Sequence, residues 1–229
     1  MGDFGSGIYI ASVWILPLVL AITLHEAAHG YVALRFGDDT ALMAGRVTLN
    51  PLKHVDLWGT IIIPGLLIFA RAPLLFGYAK PVPVDFGRLG NPRRDMIWVA
   101  GAGPAMNLFL AVISALLIHG VGLLPAPALG WVADNLINSL RINVLLAVFN
   151  LLPLPPLDGG RIAVGLLPDS LARPLSRVEP FGIFILIGAL FLLPYLGGML
   201  GVELNIFRWL VGVPSHFLLE LIATLTGHG

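Results

Sequence analysis

The sequence predicts an all-α polytopic membrane protein. It has about four or five spans, a short β-strand element and a segment that re-enters or lies at the interface. Three observations carry this prediction. Of 229 residues, 57% are hydrophobic and 11% charged, with a mean hydropathy of +0.91, whereas soluble domains carry about 25% charged residues. Several apolar runs approach the roughly 20 residues that cross a bilayer. The first of these runs also holds two histidines and a glutamate, residue types that are costly in lipid without a partner or a function.

The first span runs from about Ile8 to Phe36 and ends at Gly37-Asp38-Asp39. The preceding MGDFGSG has no basic region of the kind that opens a signal peptide, so the span reads as retained. In the polar stretch 44–56, the alternation Arg46-Val47-Thr48-Leu49 predicts a short strand. Residues 57–78 are apolar but interrupted by Pro64, Gly65, Arg71 and Pro73, which favours a re-entrant or interfacial segment over a span. After a second polar loop, residues 96–119 form a clean span. Another runs from about Trp131 into Asn150-Leu-Leu-Pro153-Leu-Pro-Pro-Leu-Asp158-Gly159-Gly160, and a further one covers 180–200. The stretch 204–226 is apolar but broken by Arg208, Pro214 and His216 and receives no assignment. No repeat or soluble appendage is visible, so residues 1–229 read as a single membrane-embedded domain.

Charge orients the chain. Residues 120–130 and the N-terminal tail lack Lys and Arg, while 37–95 carry Arg46, Lys53, Arg71, Lys80, Arg88, Arg93 and Arg94, and 161–179 carry Arg161, Arg173 and Arg177. The excess of basic residues on cytoplasmic loops then puts the N-terminus outside a multi-pass protein of the cell membrane, provided 57–78 returns to the side it left. The net charge is zero, which offers nothing to nucleic acid. Cysteine is absent, so a transition metal would be held by His, Asp or Glu.

His25-Glu26-Ala27-Ala28-His29 is such a pattern. Residues four apart on a helix differ by roughly 40° around the axis, so both imidazoles can reach one ion. Zinc suits two imidazoles, one oxygen ligand and an open position, and Glu26 would serve as general base. The best candidate for the third ligand is Asp158, beside a backbone that Pro153, Pro155 and Pro156 keep from forming a regular helix. Gly159 and Gly160 permit a tight turn next to its carboxylate. The rivals are His54, Asp56 and Glu179, and Asp158 could instead cap the following helix. Thr23, Asn107, Asn143 and Asn150 are polar residues that could line a water path. Arg141 is an odd charge in an apolar segment; it could pair with Asp134, snorkel outward, or mark a later start of the span.

Together, His25-Glu26-x-x-His29, Gly103-Pro104-x-x-Asn107 and Asn150-x-x-Pro153-x4-Asp158-Gly159 resemble the site-2 protease family of intramembrane zinc metalloproteases, in order and in spacing, over about residues 8–170. Gly45-Arg-x-x-Leu-Asn-Pro-Leu-Lys-His54 is similar to a compact bacterial and archaeal subgroup lacking PDZ and CBS domains. The resemblance implies one Zn2+ per chain on His25, His29 and Asp158, with Glu26 as catalytic base. It implies a core of three transmembrane helices with the site inside the membrane, toward the cytoplasm, and supporting or substrate-binding roles for Asn150, Asn107, Pro153 and Gly159. The partners it implies are the lipid bilayer and a transmembrane protein or peptide substrate, cut in or near its membrane segment. Such a substrate must unwind, and the predicted strand Arg46–Leu49 would offer it a pairing edge. The alternatives are a catalytically inactive membrane scaffold and a metal ion transporter. All four residues of the set are present, and the outer halves of the spans lack the acids and histidines of a conduction route.

Overall fold

The computed structural model describes residues 2–62, 66 and 80–229. These residues are helical or irregular, with no strand among them. The principal helices are α1 (Gly2–Arg35), α2 (Pro92–Ile118), α3 (Ala126–Asn150), α4 (Asp158–Leu166), α5 (Asp169–Ser176), α6 (Gly182–Ile187), α7 (Leu193–Leu200) and α8 (Val213–Leu225). Among the described residues, four runs are long and apolar enough to cross a membrane: Gly5–Arg35, Pro92–Ile118, Ala126–Asn150 and Asp169–Leu200. The first three pack on one another, and α4 packs on α2. The expected core of three spans is therefore present with one further span.

Local chemistry sets the helix ends. Asn91 caps α2 by accepting from the Arg94 amide, Pro92 supplies a ready-made first turn, and Asp95 accepts from the Asn91 amide at 2.7 Å. Small buried residues, among them Ala21, Ala33, Ala100, Ala111, Ala115 and Ala147, let the helix backbones approach closely. The C-terminal stretch without a sequence assignment contains α8. Its Ile222, with Val211 just before it, joins Ala111, Ala115, Val144 and Val148 in one buried cluster.

The expected strand at Arg46–Leu49 is not formed; these residues make a bend. A strand needs a partner ladder, and here local bonds have taken its place. Gly45 turns the chain with φ +65°, and the Thr48 amide bonds back to the Arg46 carbonyl at 3.0 Å. The Arg46 side chain is buried and donates to the Lys53 carbonyl, and His54 Nε2 donates to the Thr48 carbonyl at 3.1 Å. The alternation thus reflects a loop folded on its own side chains, and the bend offers no strand edge to a substrate. Of the segment expected to re-enter, Leu57–Ile62 forms a π-type turn; residues 63–65 and 67–79 lie outside the described residues.

The segment 80–85 is extended and crosses the end of α1. The Lys80 amide donates to the His54 carbonyl at 2.9 Å and the Asp85 amide to Asp38 Oδ2 at 2.7 Å. Gly30 makes the close approach possible. A Cβ there would meet Val82, Val47 and Ala41 side-chain atoms at 3.2, 3.3 and 3.5 Å. Asp38 is fully buried. Burial alone would raise its carboxyl, but hydrogen bonds from the Thr40 hydroxyl and amide and the Asp85 amide, with Arg88 nearby, hold it below the ordinary carboxylate range.

The folded-state value of Asp38 is depressed, so its stabilisation is complete above the ordinary carboxylate range and is lost as pH falls through the folded-state value. Asp38→Asn is expected to lower stability by about 2 kcal/mol at neutral pH, or roughly 5 °C in Tm. The gap from wild type should close below about pH 4, the ordinary Asp value. Thermal unfolding in detergent across pH checks this; a gap independent of pH would contradict it.

Candidate metal centre

α1 places His25 and His29 on one face, one turn apart, and α4 brings Asp158 against them. His25 Nε2 lies 3.3 Å from Asp158 Oδ2, and His29 Nε2 lies 3.4 Å from Asp158 Oδ1. All three side chains are buried. Their ligand atoms lie within 4.8 Å of one another, and no other such group is found among the described residues. Asp158 stands in the first turn of α4, with Leu157 at the cap position, so its carboxylate faces the histidines rather than capping its helix.

The proline-rich turn reaches this position because glycines leave it room. A Cβ on Gly159 would run into the Leu151 and Leu152 carbonyls, and one on Gly160 into Leu154 and Pro155. The far end of α4 is held by Arg93, which donates to the Gly165 carbonyl at 3.1 Å, to the Leu167 carbonyl, and to Asp169 at 2.6 Å. A cation at a helix C-terminus satisfies its last carbonyls. This fixes the helix whose first residue is Asp158.

The hydrogen-bond network settles the histidine tautomers. Asn143 Nδ2 donates to the Ser139 carbonyl at 2.9 Å, so Asn143 Oδ1 faces Asn107 and accepts from its Nδ2 at 2.8 Å. Asn107 Nδ2 also donates to the Ala21 carbonyl at 3.3 Å. Its Oδ1 is therefore turned to His25 Nδ1, 2.6 Å away, which must carry the proton. His29 Nδ1 is 2.7 Å from the Val99 carbonyl, which can only accept, so it too is protonated. In the neutral rings both Nε2 atoms then present lone pairs, 3.1 Å apart, beside an Asp158 carboxylate whose buried Oδ2 has no hydrogen-bond partner. Acceptors gathered without a proton among them are unfavourable by themselves and match a cation.

Gly103 supplies the space. A Cβ there would sit 2.6 Å from His25 Nε2 and closer still to His29 Nε2, in the middle of the acceptors. Two imidazoles and a carboxylate, with outer partners orienting both rings, fit zinc. Glu26 is half-buried on the same turn of α1, and its Oε2 accepts from the Val82 amide at 2.7 Å. That bond anchors the carboxylate to the extended segment 80–85.

The rival ligands are engaged elsewhere. His54 belongs to the 46–54 bend, Asp56 accepts from the Trp58 and Gly59 amides at 3.0 and 2.7 Å, and Glu179 lies 3.4 Å from Arg161. Asn150 ends α3 with its amide donating to the Leu146 carbonyl at 3.0 Å, and Pro153 is exposed in the turn that follows. Neither has a hydrogen bond to the cluster. Asn107 and Asn143, read from sequence as polar channel candidates, are buried and spent on the network that orients His25. Asn143 stood out in the sequence as a polar residue in an apolar span, but not its partner.

Gly103→Ala is expected to abolish stoichiometric zinc, measured by elemental analysis of purified protein. Gly101→Ala, whose Cβ would meet nothing within 4 Å, should leave zinc content unchanged. Asn107→Ala is expected to weaken zinc binding about 10–100-fold through loss of the His25 orientation, with a smaller loss in Asn143→Ala. Competition with a fluorescent chelator reads both.

The model of peptidase family M50 matches residues 13–139 and 131–194. "Putative zinc metalloprotease YwhC" of Bacillus subtilis is 41% identical over 79% of this chain and 80% of its own length. "Putative zinc metalloprotease Rip2" of Mycolicibacterium smegmatis is 32% identical over 80% of this chain and 66% of its own length. "Putative zinc metalloprotease MJ0611" of Methanocaldococcus jannaschii is 29% identical over 66% of this chain and 70% of its own. No solved structure matches. The extent of the family match, and the relatives' identity over most of the chain, show that the chain belongs to peptidase family M50, the site-2 protease family of zinc metalloproteases.

Proposed function

We propose that this chain hydrolyses a peptide bond in or near the transmembrane segment of a membrane protein, with one zinc ion held by His25, His29 and Asp158 and Glu26 as general base. The observation that carries the assignment is the buried set of acceptors around Gly103, one residue from a carboxylate on the same helix turn. The names of the relatives are consistent with it.

Bound zinc would polarise the scissile carbonyl and make water a better nucleophile. The chain's own residues do the rest. Glu26 takes a proton from the attacking water and returns it to the leaving amine. The Val82 amide holds one carboxylate oxygen of Glu26 and leaves the other for the proton. Asn107 and the Val99 carbonyl accept from the two Nδ1–H groups and so aim both Nε2 atoms at the site. Asn150, Pro153 and Gly159 shape the backbone beside Asp158, where an unwound substrate would lie. The charge pattern supports an N-terminus outside and a site toward the cytoplasm, in the cell membrane. An inactive scaffold is disfavoured because the whole set is present and assembled. A transporter is disfavoured because among the described residues its ligating side chains form a single cluster.

The test is cleavage of a model transmembrane substrate by the purified chain in vesicles. Glu26→Gln should keep zinc and lose about 10²–10⁴-fold in rate. Asp158→Ala should lose both zinc and rate, and chelation of wild type should stop cleavage until zinc is restored. Cleavage that survives in Glu26→Gln would remove Glu26 from the role of base.

A further inference from the structure

Arg141 is the only charged residue between Asp134 and Asp158. It lies within the candidate span Ala126–Asn150 and its side chain is exposed. Among the described residues it makes no ion pair or hydrogen bond. The nearest acid on its helix, Asp134, is two turns away and accepts from the Tyr9 hydroxyl at 2.6 Å. Asp134 is thus engaged by Tyr9, and α3 runs unbroken from Ala126 through Arg141.

Depth rules out an easy escape to water. Trp131, bonded to Ser12 through its indole N–H at 2.9 Å, and Tyr9, bonded to Asp134, lie toward one end of the α1–α3 contact, the kind of residue found at a bilayer interface. Arg141 is ten residues further along, about 15 Å of helix, or half the roughly 30 Å hydrocarbon thickness. Its neighbour Asn143 is joined through Asn107 to His25, so the guanidinium stands near the depth of the metal cluster. It does so on the outer face of α3, beside exposed Leu145, while Ile142, Asn143 and Val144 face inward. A guanidinium at this depth costs roughly 2.5 kcal/mol or more unless it is paired.

We propose that this face of α3 docks a transmembrane helix of a partner protein that carries a Glu or Asp at mid-bilayer depth, the carboxylate pairing with Arg141. Charge complementarity selects the occupant. A carboxylate matches the planar guanidinium bidentately and offsets its desolvation. A neutral apolar helix would leave it unpaired. A lipid phosphate sits at the interface, beyond the reach of a side chain half a bilayer away. The proposal concerns binding and does not rest on peptide hydrolysis.

The test uses the full chain in phosphatidylcholine vesicles, in the Glu26→Gln background so that turnover plays no part. The probe is a Leu/Ala transmembrane peptide with one central Glu, compared with its Gln counterpart, with association read by energy transfer. The Glu peptide should bind about tenfold tighter, the size of a strong interhelical polar bond. Arg141→Leu should erase that preference while leaving zinc content and Tm intact, and Arg141→Lys should keep most of it. Equal binding of the two peptides, or a preference that survives in Arg141→Leu, overturns the proposal.

Discussion

Two imidazoles held from behind at Nδ1, with both Nε2 atoms turned toward each other across from a carboxylate, are the constraint on which the rest of this structure depends. Nε2 to Nε2 is 3.1 Å, and each nitrogen lies 3.3 or 3.4 Å from an Asp158 oxygen. The arrangement would relax by rotating a ring if either histidine were free. Neither is. Asn107 and the Val99 carbonyl hold the opposite nitrogens, and Asn107 is itself fixed by the Ala21 carbonyl and by Asn143, which is anchored to the Ser139 carbonyl. The protein has thus fixed in place a set of acceptors whose natural complement is a metal ion.

Much of the fold serves this end. α1, α2 and α3 approach closely because their contacts use alanine and glycine, and at Gly103 a Cβ would fill the space between the two imidazoles. The third ligand comes from a short helix, which must be carried to membrane depth by irregular backbone. Such backbone is tolerated where protein buries it, and Leu151 and Leu152 pack against Gly159, Leu154 and Pro155 against Gly160, and Pro155 and Pro156 against Gly182. Arg93 then pins the other end of that helix. The loops beyond α1 are fastened by Asp38 and by the Glu26 bond to Val82, so the segment over the site is tied to the carboxylate beside it.

The candidate spans and the His25, His29 and Asp158 cluster could be read from sequence because much of their signal is local. Hydrophobic run length gives the helices, and the i, i+4 spacing of His25 and His29 gives a shared face. Asp158 followed from its place in a proline-broken apolar stretch. The strand was misread for a physical reason. Arg46-Val47-Thr48-Leu49 alternates as a half-buried strand would, yet its polar member Arg46 turns inward to a carbonyl of the same loop. Local alternation does not reveal whether a partner edge exists. The roles of Asn143 and Asp38 were hidden because each depends on a residue far along the chain: Asn107 for the first, Asp85 for the second. Gly103 stood in a recognisable motif, but the reason for glycine there is only the position of two side chains from another helix.

The measurement that reaches the central claim most directly is zinc K-edge X-ray absorption of the zinc-loaded chain in detergent. The account predicts a first shell of nitrogen and oxygen at about 2.0–2.1 Å, with scattering from two imidazoles. It also predicts that only one imidazole remains in either His25→Ala or His29→Ala. A shell with fewer than two imidazoles in the wild type, or one left unchanged by both substitutions, would contradict it.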